Sequence, residues 1–212
     1  MLIRYIDLCC GIGGFRVAID SFQDIYKNTS IDRRFECVFS CDNKQDAVDT
    51  YNVNFNESNK KIDLMEIRPD EVPEFNLLVA GFPCQPFSSA GHKKGFKDER
   101  GCIIFKILEL CKHHSPSTVL LENVGNLLDL EHGKYMETIQ SLFSEMDYEC
   151  VYKKLNMSDF GCAQSRERVY IICKKGNKMS PVHIPNFEDI AMSRERVVLK
   201  DVIEYEDQNN LN

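Results

Sequence analysis

Six short apolar runs recur along the chain, and amphipathic segments separate most of them. The runs have the length and composition of buried strands, and they cover residues 2–8, 35–40, 75–80, 118–121, 149–155 and 169–173. Two intervening segments carry apolar residues at helical spacing, namely Ile103, Ile104, Ile107, Leu108, Cys111 and then Ile139, Leu142, Phe143, Met146. Strands that alternate with amphipathic helices predict an α/β fold with a doubly wound, mostly parallel sheet.

The last two apolar runs depart from this alternation. Only the loop 156–168 separates them, which is short for a helical crossover, so we predict an antiparallel pair at the edge of the sheet. After residue 175 the pattern loosens, although Val197 to Ile203 can form one more short element. The pattern predicts a catalytic domain over 1–175 and a partly irregular extension over 176–212.

Length and composition limit the class of protein. The chain has 212 residues, 43% of them apolar, which is enough for one well-buried domain. We expect a soluble, unprocessed, cytoplasmic protein, because no long apolar span and no charged leader is present. The ten cysteines are scattered through apolar runs, which favours reduced thiols. The absence of a C-x-x-C pair or of histidines at ligand spacing argues against a metal site.

The net charge opposes extensive contact with a phosphate backbone. The formal charge is −7 and the pI is about 5.3, so any nucleic acid needs another basic surface. A local exception is the segment 92–100, which is rich in lysine and arginine. Such a segment is commonly a solvated loop, and the functional alternative is a flap that faces phosphates.

The first strand ends in a glycine-rich turn, Cys9 to Gly14, that leads into a helical run. Glycines at this position let the backbone approach a ligand and leave a helix N-terminus open, although many proteins need them for geometry alone. Asp42 ends the second strand, where a carboxylate can accept hydrogen bonds from ribose hydroxyls. Asp63 can accept the exocyclic amine of an adenine. Taken singly, either acid is an ordinary turn residue.

Cys84 follows the third apolar run and lies between Pro83 and Gln85. With Pro86 on the other side, the backbone is restricted twice, which makes the loop stiff enough to aim a thiolate. We therefore predict a reactive cysteine at the carboxyl end of a strand.

Glu122 follows the fourth strand and should reach the same sheet edge as Cys84. Arg166 and Arg168 occupy alternate positions at the start of the last strand, so their side chains point the same way. We predict that one of these cations orients Glu122 or a bound base. Standing alone, the glutamate would be a solvated residue and the arginines would form surface ion pairs.

The order of these segments is informative in itself. DLCCGIGGF, GFPCQPFS, LENVGNL and AQSRERVYIIC follow one another, and this order resembles the motif set of the cytosine-5 methyltransferases over residues 1–175. The resemblance implies a Rossmann-like fold that uses S-adenosyl-L-methionine to methylate DNA. It also implies that Cys84 is the nucleophile and that Glu122 binds the cytosine ring. Arg168, and less directly Arg166, would brace the base and Glu122.

The resemblance also assigns binding positions. For the cofactor they are Cys9, Cys10, Gly11, Ile12, Gly13, Gly14, Asp42, Asn43, Asp63, Leu64, Pro83 and Ile103; for nucleic acid they are Gln85, Ser88, Lys93 and Lys94. The loop 88–97 is similar to the family's mobile flap. Two departures stand out: Cys9 replaces the usual aromatic residue against the adenine, and Asn43 replaces an apolar platform. The lost apolar contact should weaken cofactor binding modestly.

Full-length family members continue into a target-recognition domain and two further motifs, one of which packs beside the cofactor turn. In this protein, a second subunit can supply these parts. Alternatively, truncation has removed them, or the gene is a remnant that has lost them. We expect an exposed apolar patch near Gly11 to Phe15, where those motifs would dock. Alternatives are a catalytically silent cofactor-binding or regulatory module and an RNA cytosine-5 methyltransferase. The target sequence is not encoded in these residues.

Overall fold

The computed structural model describes residues 2–30, 33–83 and 103–176. Several predicted features lie outside these ranges: Cys84, Gln85, Ser88, Lys93, Lys94, the flap, and the extension from residue 177 onward. All the other predicted site residues lie inside them.

The described strands form one mixed sheet of six strands in the order β2-β1-β3-β4-β6-β5. Their bounds are β1 Leu2–Leu8, β2 Arg34–Cys41, β3 Leu77–Gly81, β4 Thr118–Val124, β5 Tyr148–Asn156 and β6 Glu167–Lys175. The pairs β1–β2, β1–β3 and β3–β4 are parallel. β6 runs antiparallel to both β4 and β5. The mostly parallel sheet and the antiparallel β5–β6 pair at its edge are therefore confirmed.

In the described ranges, four α-helices connect the strands, namely α1 Gly14–Tyr26, α2 Gln45–Phe55, α3 Ile103–His114 and α4 Lys134–Ser144. Short 3₁₀ helices cover Leu64–Glu66, Pro69–Glu71, Gly125–Gly133 and Met157–Phe160. The two predicted apolar stripes lie on α3 and α4, as expected, except that Met146 lies beyond the end of α4. In the described part of the chain, no helix has the length and hydropathy needed to cross a bilayer.

The two faces of β1 pack against different helices because side chains alternate along a strand. Ile6 and Leu8 belong to the main core, together with apolar residues of α3 and α4 such as Ile107 and Ile139. Tyr5 and Asp7, on the other face, are buried next to Arg16 of α1. Helices on both faces define a doubly wound sheet, and the carboxyl ends of its parallel strands meet at one edge.

One disulfide is present among the described residues, joining Cys150 of β5 to Cys173 of β6. The two residues lie directly opposite each other in the antiparallel ladder, with their Cα atoms 4.1 Å apart. The expectation of reduced thiols is therefore wrong for this pair. The pairing depends on the register between two strands, which cysteine spacing alone does not reveal.

Candidate active site

Four neighbouring strands bring the predicted site residues to one edge of the sheet. β1 leads into the Cys9 to Gly14 turn, β2 into Asp42, and β3 into Pro83, while Glu122 lies near the end of β4. These strands are adjacent in the sheet. The described ends of these four strands therefore share one edge, as the sequence predicted.

The glycine-rich turn exposes backbone next to the start of α1. Cys9, Gly11 and Gly13 all have positive φ, a conformation that suits glycine and strains cysteine. An added Cβ at Gly11 or Gly14 would meet no atom within 4 Å. No side chain caps the N-terminus of α1, so its backbone N–H groups and the space above the turn suit an anionic ligand group.

Asp42 ties this turn to the neighbouring loops. Its Oδ2 accepts a hydrogen bond from the Gly11 N–H at 2.9 Å, and its Oδ1 accepts one from the Lys44 N–H at 2.9 Å. The Asp42 carbonyl accepts from the Ile62 N–H at 3.0 Å, next to Asp63. Asp42 thus fixes the positions of two predicted cofactor segments, and its remaining lone pairs can still accept hydroxyl donors.

Asp63, like Asp42, accepts a structural hydrogen bond and keeps acceptor capacity for a ligand. Its Oδ1 accepts from the Met65 N–H at 2.9 Å and so caps the 3₁₀ helix at Leu64–Glu66. The loop before it is anchored by Asn59, whose Nδ2 lies 2.9 Å from the hydroxyl of Ser40. A structural role is therefore certain, and the second carboxylate oxygen is available for a ligand amine.

The other predicted cofactor positions differ in accessibility. Ile12, Asn43 and Pro83 are exposed, and Ile103 is half-buried at the start of α3. Leu64 is 3% exposed and belongs to the hydrophobic core. Its side chain is therefore withdrawn from any ligand, and only its backbone is available there.

Gly13 offers a direct test of the turn. A Cβ at this position would lie 2.2 Å from Cε2 of Phe55, and φ is +96°. Gly13→Ala should therefore destabilise the protein by about 2–3 kcal/mol through overpacking and backbone strain. Gly14→Ala, where the space is open, should be nearly neutral. Urea unfolding of both variants measures the difference, and equal stabilities would show that the turn tolerates a side chain at residue 13.

Glu122 and Arg168 form the central charged pair of the site. Nε of Arg168 lies 2.8 Å from Oε1 of Glu122, and the two side chains are 17% and 25% exposed. The guanidinium is held from its other side by the Glu167 carbonyl, which accepts from Nη1 at 2.7 Å. The predicted contact between one arginine and Glu122 is present, and a carboxylate oriented in this way presents its other oxygen to a ligand.

Arg166 lies apart from this pair. It is exposed and precedes β6, and its backbone N–H donates to Oδ1 of Asn156 at 3.0 Å. The structure thus brings Arg168 to Glu122, whereas no described contact joins Arg166 to it.

Tyr170, which the motif analysis did not select, is directly opposite Glu122 in the β4–β6 ladder. Burial and then the charge of Glu122 raise the pKa of its phenol, while Arg168 and Arg166 oppose the shift. It was missed because an aromatic residue in a strand usually indicates only core packing.

The thiols around the cofactor turn are poor nucleophiles. Burial and the nearby carboxylates of Asp42 and Asp7 raise the pKa of Cys9 to about 12. Burial likewise raises the pKa of Cys41 to about 12 and increases that of Cys10. These thiols stay protonated near neutral pH, which makes them weak nucleophiles.

Asp7, near the end of β1, is a buried carboxyl group in an unusual environment. Its side chain is fully buried, and neither carboxylate oxygen has a hydrogen-bond partner among the residues that the structure describes. Burial raises its pKa to about 7, with Arg16 opposing the shift and Asp42 adding to it. The carboxyl group is therefore poised between its protonated and ionised forms at physiological pH.

No group of three or more His, Cys, Asp or Glu side chains within the described residues is arranged to hold a metal ion. The polar groups at this sheet edge are instead backbone N–H groups, carboxylates and one guanidinium. This combination suits an organic cofactor and a polar ring.

Comparisons with solved structures identify the fold. Solved structures with the same fold include DNMT2 of Spodoptera frugiperda, which has a TM-score of 0.65 and 21% identity and is matched over 87% of this chain and 53% of that one. A putative DNA modification methyltransferase of an Escherichia coli prophage gives a TM-score of 0.62 at 22% identity, over 82% of this chain and 47% of that one. The fold is therefore the Rossmann-like fold of the methyltransferases.

Relatives with similar sequences indicate which kind of methyltransferase this fold belongs to. Type II methyltransferase M.HhaI of Haemophilus parahaemolyticus is 36% identical over 88% of this chain and 52% of its own length. Type II methyltransferase M.BanI of Aneurinibacillus aneurinilyticus is 40% identical over 84% of this chain and 40% of its own length. The model of the C-5 cytosine-specific DNA methylase family matches residues 3–212.

The chain belongs to the C-5 cytosine-specific DNA methylase family. It spans about half the length of the curated relatives that it matches.

Proposed function

We propose that this chain is the catalytic part of a DNA cytosine-5 methyltransferase. It transfers a methyl group from S-adenosyl-L-methionine to carbon 5 of a cytosine that is flipped out of the DNA stack, and it acts together with a separate target-recognition segment or subunit. The observation that carries the proposal is the Glu122–Arg168 pair, which lies at the end of the strand adjacent to the one leading to Cys84. A flipped base is required because the reacting atoms are inaccessible inside a duplex.

The cofactor fits the polar groups at the sheet edge. The methionine carboxylate suits the uncapped N-terminus of α1, the ribose hydroxyls suit Asp42, and the adenine amine suits Asp63. When bound, S-adenosyl-L-methionine supplies an electrophilic methyl carbon. The open space above Gly11 and Gly14 leaves room for it.

Cys84 and Glu122 would act directly on the base, and Arg168 would act through Glu122. The Cys84 thiolate adds to carbon 6, forming a sulfur–carbon bond and making carbon 5 nucleophilic. Glu122 binds the ring at N3 and its exocyclic amine, so that a proton held there offsets the charge that develops during attack. Arg168 keeps Glu122 oriented. The methyl group would pass to carbon 5 as its bond to the cofactor sulfur breaks, which leaves S-adenosylhomocysteine. Loss of the carbon 5 proton to solvent would then restore the 5,6 double bond, break the bond between carbon 6 and the Cys84 sulfur, and free Cys84 as the thiolate.

The surface formed by α1 and the turn before it is suited to docking a partner. None of its residues is buried, and Ile12, Val17 and Ile25 are 60%, 54% and 70% exposed. Ile12 lies within the stretch Gly11 to Phe15 where an exposed apolar patch was predicted, and Val17 and Ile25 are exposed apolar positions further along α1. Together with the acidic net charge, this exposed surface favours a model in which a second polypeptide or segment covers α1 and supplies most of the DNA contacts.

Methyl transfer from labelled S-adenosyl-L-methionine to mixed-sequence DNA tests the proposal. The chain is assayed alone and with the product of the neighbouring reading frame, with Cys84→Ser as the inactive control. Activity that depends on Cys84 and on the partner is the expected result. Cofactor binding without transfer in either case would favour the silent regulatory module, and transfer to RNA but not to DNA would favour the RNA enzyme.

A further inference from the structure

Asn123 is a buried polar residue beside the catalytic candidate Glu122. Its side chain is 1% exposed, and because side chains alternate along β4, it lies on the opposite face of the sheet from Glu122. Its Nδ2 donates to the carbonyl of Phe82 at 2.9 Å, and its Oδ1 accepts from the Val124 N–H at 2.8 Å. Both polar atoms of the amide are thus engaged with backbone, one of them across to the next strand.

The hydrogen bond to Phe82 lies just beyond the end of the regular ladder. β3 and β4 pair from Leu77–Thr118 to Gly81–Glu122 and no further. Without Asn123, the carbonyl of Phe82 would be a buried acceptor without a ladder donor. The amide side chain therefore extends the coupling between the strands by one residue, toward Cys84.

The chain around Phe82 has little freedom to compensate. The Phe82 side chain is buried in the core, and the next residue, Pro83, has a fixed φ and no N–H to donate. Proline also restricts Phe82 to extended conformations. The Phe82 carbonyl is thus the last described anchor before Cys84, which follows two residues later in the sequence.

We propose that Asn123 is a positioning residue that fixes the start of the Cys84 loop relative to Glu122. Adjacent residues of one strand then serve the two halves of the chemistry: Glu122 faces the base, and Asn123 holds the backbone that carries the nucleophile. This inference rests on the proposed function, and it concerns geometry rather than contact with the substrate.

Asn123→Ala removes the tether, and Asn76→Ala is a matched control. Oδ1 of Asn76, the residue before β3, also links neighbouring segments of the sheet by accepting from the Arg4 N–H of β1 at 3.1 Å, but at the opposite end of the sheet. Asn123→Ser keeps a small hydroxyl donor and serves as the second variant if the alanine protein does not fold. Melting temperature and cofactor affinity are measured for each variant, together with kcat and KM of the partner-completed enzyme.

Asn123→Ala should lower kcat by about 10- to 100-fold, because small misplacements of reacting groups have effects of that size. Its affinity for S-adenosyl-L-methionine should stay near that of the wild type. Asn76→Ala should leave kcat unchanged even where the melting temperature falls. Equal losses of kcat in the two variants, in step with their melting temperatures, would overturn the proposal and leave Asn123 a purely structural residue.

A second measurement does not depend on methyl transfer. The rate of Cys84 alkylation by iodoacetamide is followed by peptide mass spectrometry from pH 6 to 9, with the exposed Cys162 as internal reference. Loss of the tether should change the Cys84-to-Cys162 rate ratio and its pH profile, whereas Asn76→Ala should not. An unchanged ratio in Asn123→Ala contradicts the positioning role. An inactive wild type with a changed ratio contradicts the proposed function alone.

Discussion

Glu122→Gln is expected to slow methyl transfer by about 10²- to 10⁴-fold, the range typical of a lost general acid or base. Glutamine has nearly the same shape and still offers Arg168 an oxygen acceptor in place of Oε1, 2.8 Å from Nε. It can donate a hydrogen bond to the base, but it cannot transfer a proton to ring nitrogen N3. The loss should therefore appear in the chemical step and not in cofactor binding.

Single-turnover kinetics of the partner-completed enzyme measure this step directly. Glu109→Gln is a suitable control, because Glu109 is a surface residue of α3 that pairs only with Lys106 among the contacts described. It should retain the wild-type rate. A decrease of less than tenfold in Glu122→Gln would show that proton transfer by residue 122 contributes little to the barrier.

Asp7→Asn should stabilise the protein at pH 8 and have much less effect at pH 4. The pKa of Asp7 is raised by burial from 3.8 to about 7 in the folded state, so the folded protein holds this proton more tightly than the unfolded chain does. The stability associated with this group is fully present below about pH 4 and is lost as the pH rises to about 7. The loss is at most about 4 kcal/mol, because each pKa unit corresponds to about 1.4 kcal/mol.

Urea unfolding of the wild type and the variant across this pH range isolates the contribution of Asp7, since all other titrating groups cancel in the difference. Asp24→Asn, an exposed position on α1, should run parallel to the wild type at every pH. If Asp7→Asn also runs parallel, Asp7 is not titrating between pH 4 and 7 in the folded protein.

The apolar runs located all six described strands, but they matched both ends only for β1. β1 was predicted over its full observed range, whereas β2 and β6 extend beyond their predicted bounds to include polar residues such as Arg34 and Glu167. The predicted third strand began two residues too early. Phe75 is buried, but Asn76 lies outside the ladder, where its side chain bonds to Arg4. Hydrophobic patterns mark burial, not hydrogen bonding, which explains both kinds of error.

Contacts within the site were predictable only in part. Alternation along an extended chain predicted that an arginine reaches Glu122, and Arg168 does so. Arg166, at the alternate position, precedes the strand and is exposed, and no described contact joins it to Glu122. The position of Tyr170 opposite Glu122 and the disulfide between Cys150 and Cys173 both depend on strand register. Register is set by tertiary packing and leaves no local signal.

The position of β6 in the sheet affects how the protein folds while it is being translated. β6 is the last of the six strands to leave the ribosome, yet it lies between β4 and β5. Until residue 175 emerges, β4 has an unpaired edge, and β5 lacks its described partner. Nascent chains that stall before β6 therefore expose open strand edges, which are templates for aggregation. A chaperone that shields β4 during translation would protect the sheet until its final strand is inserted.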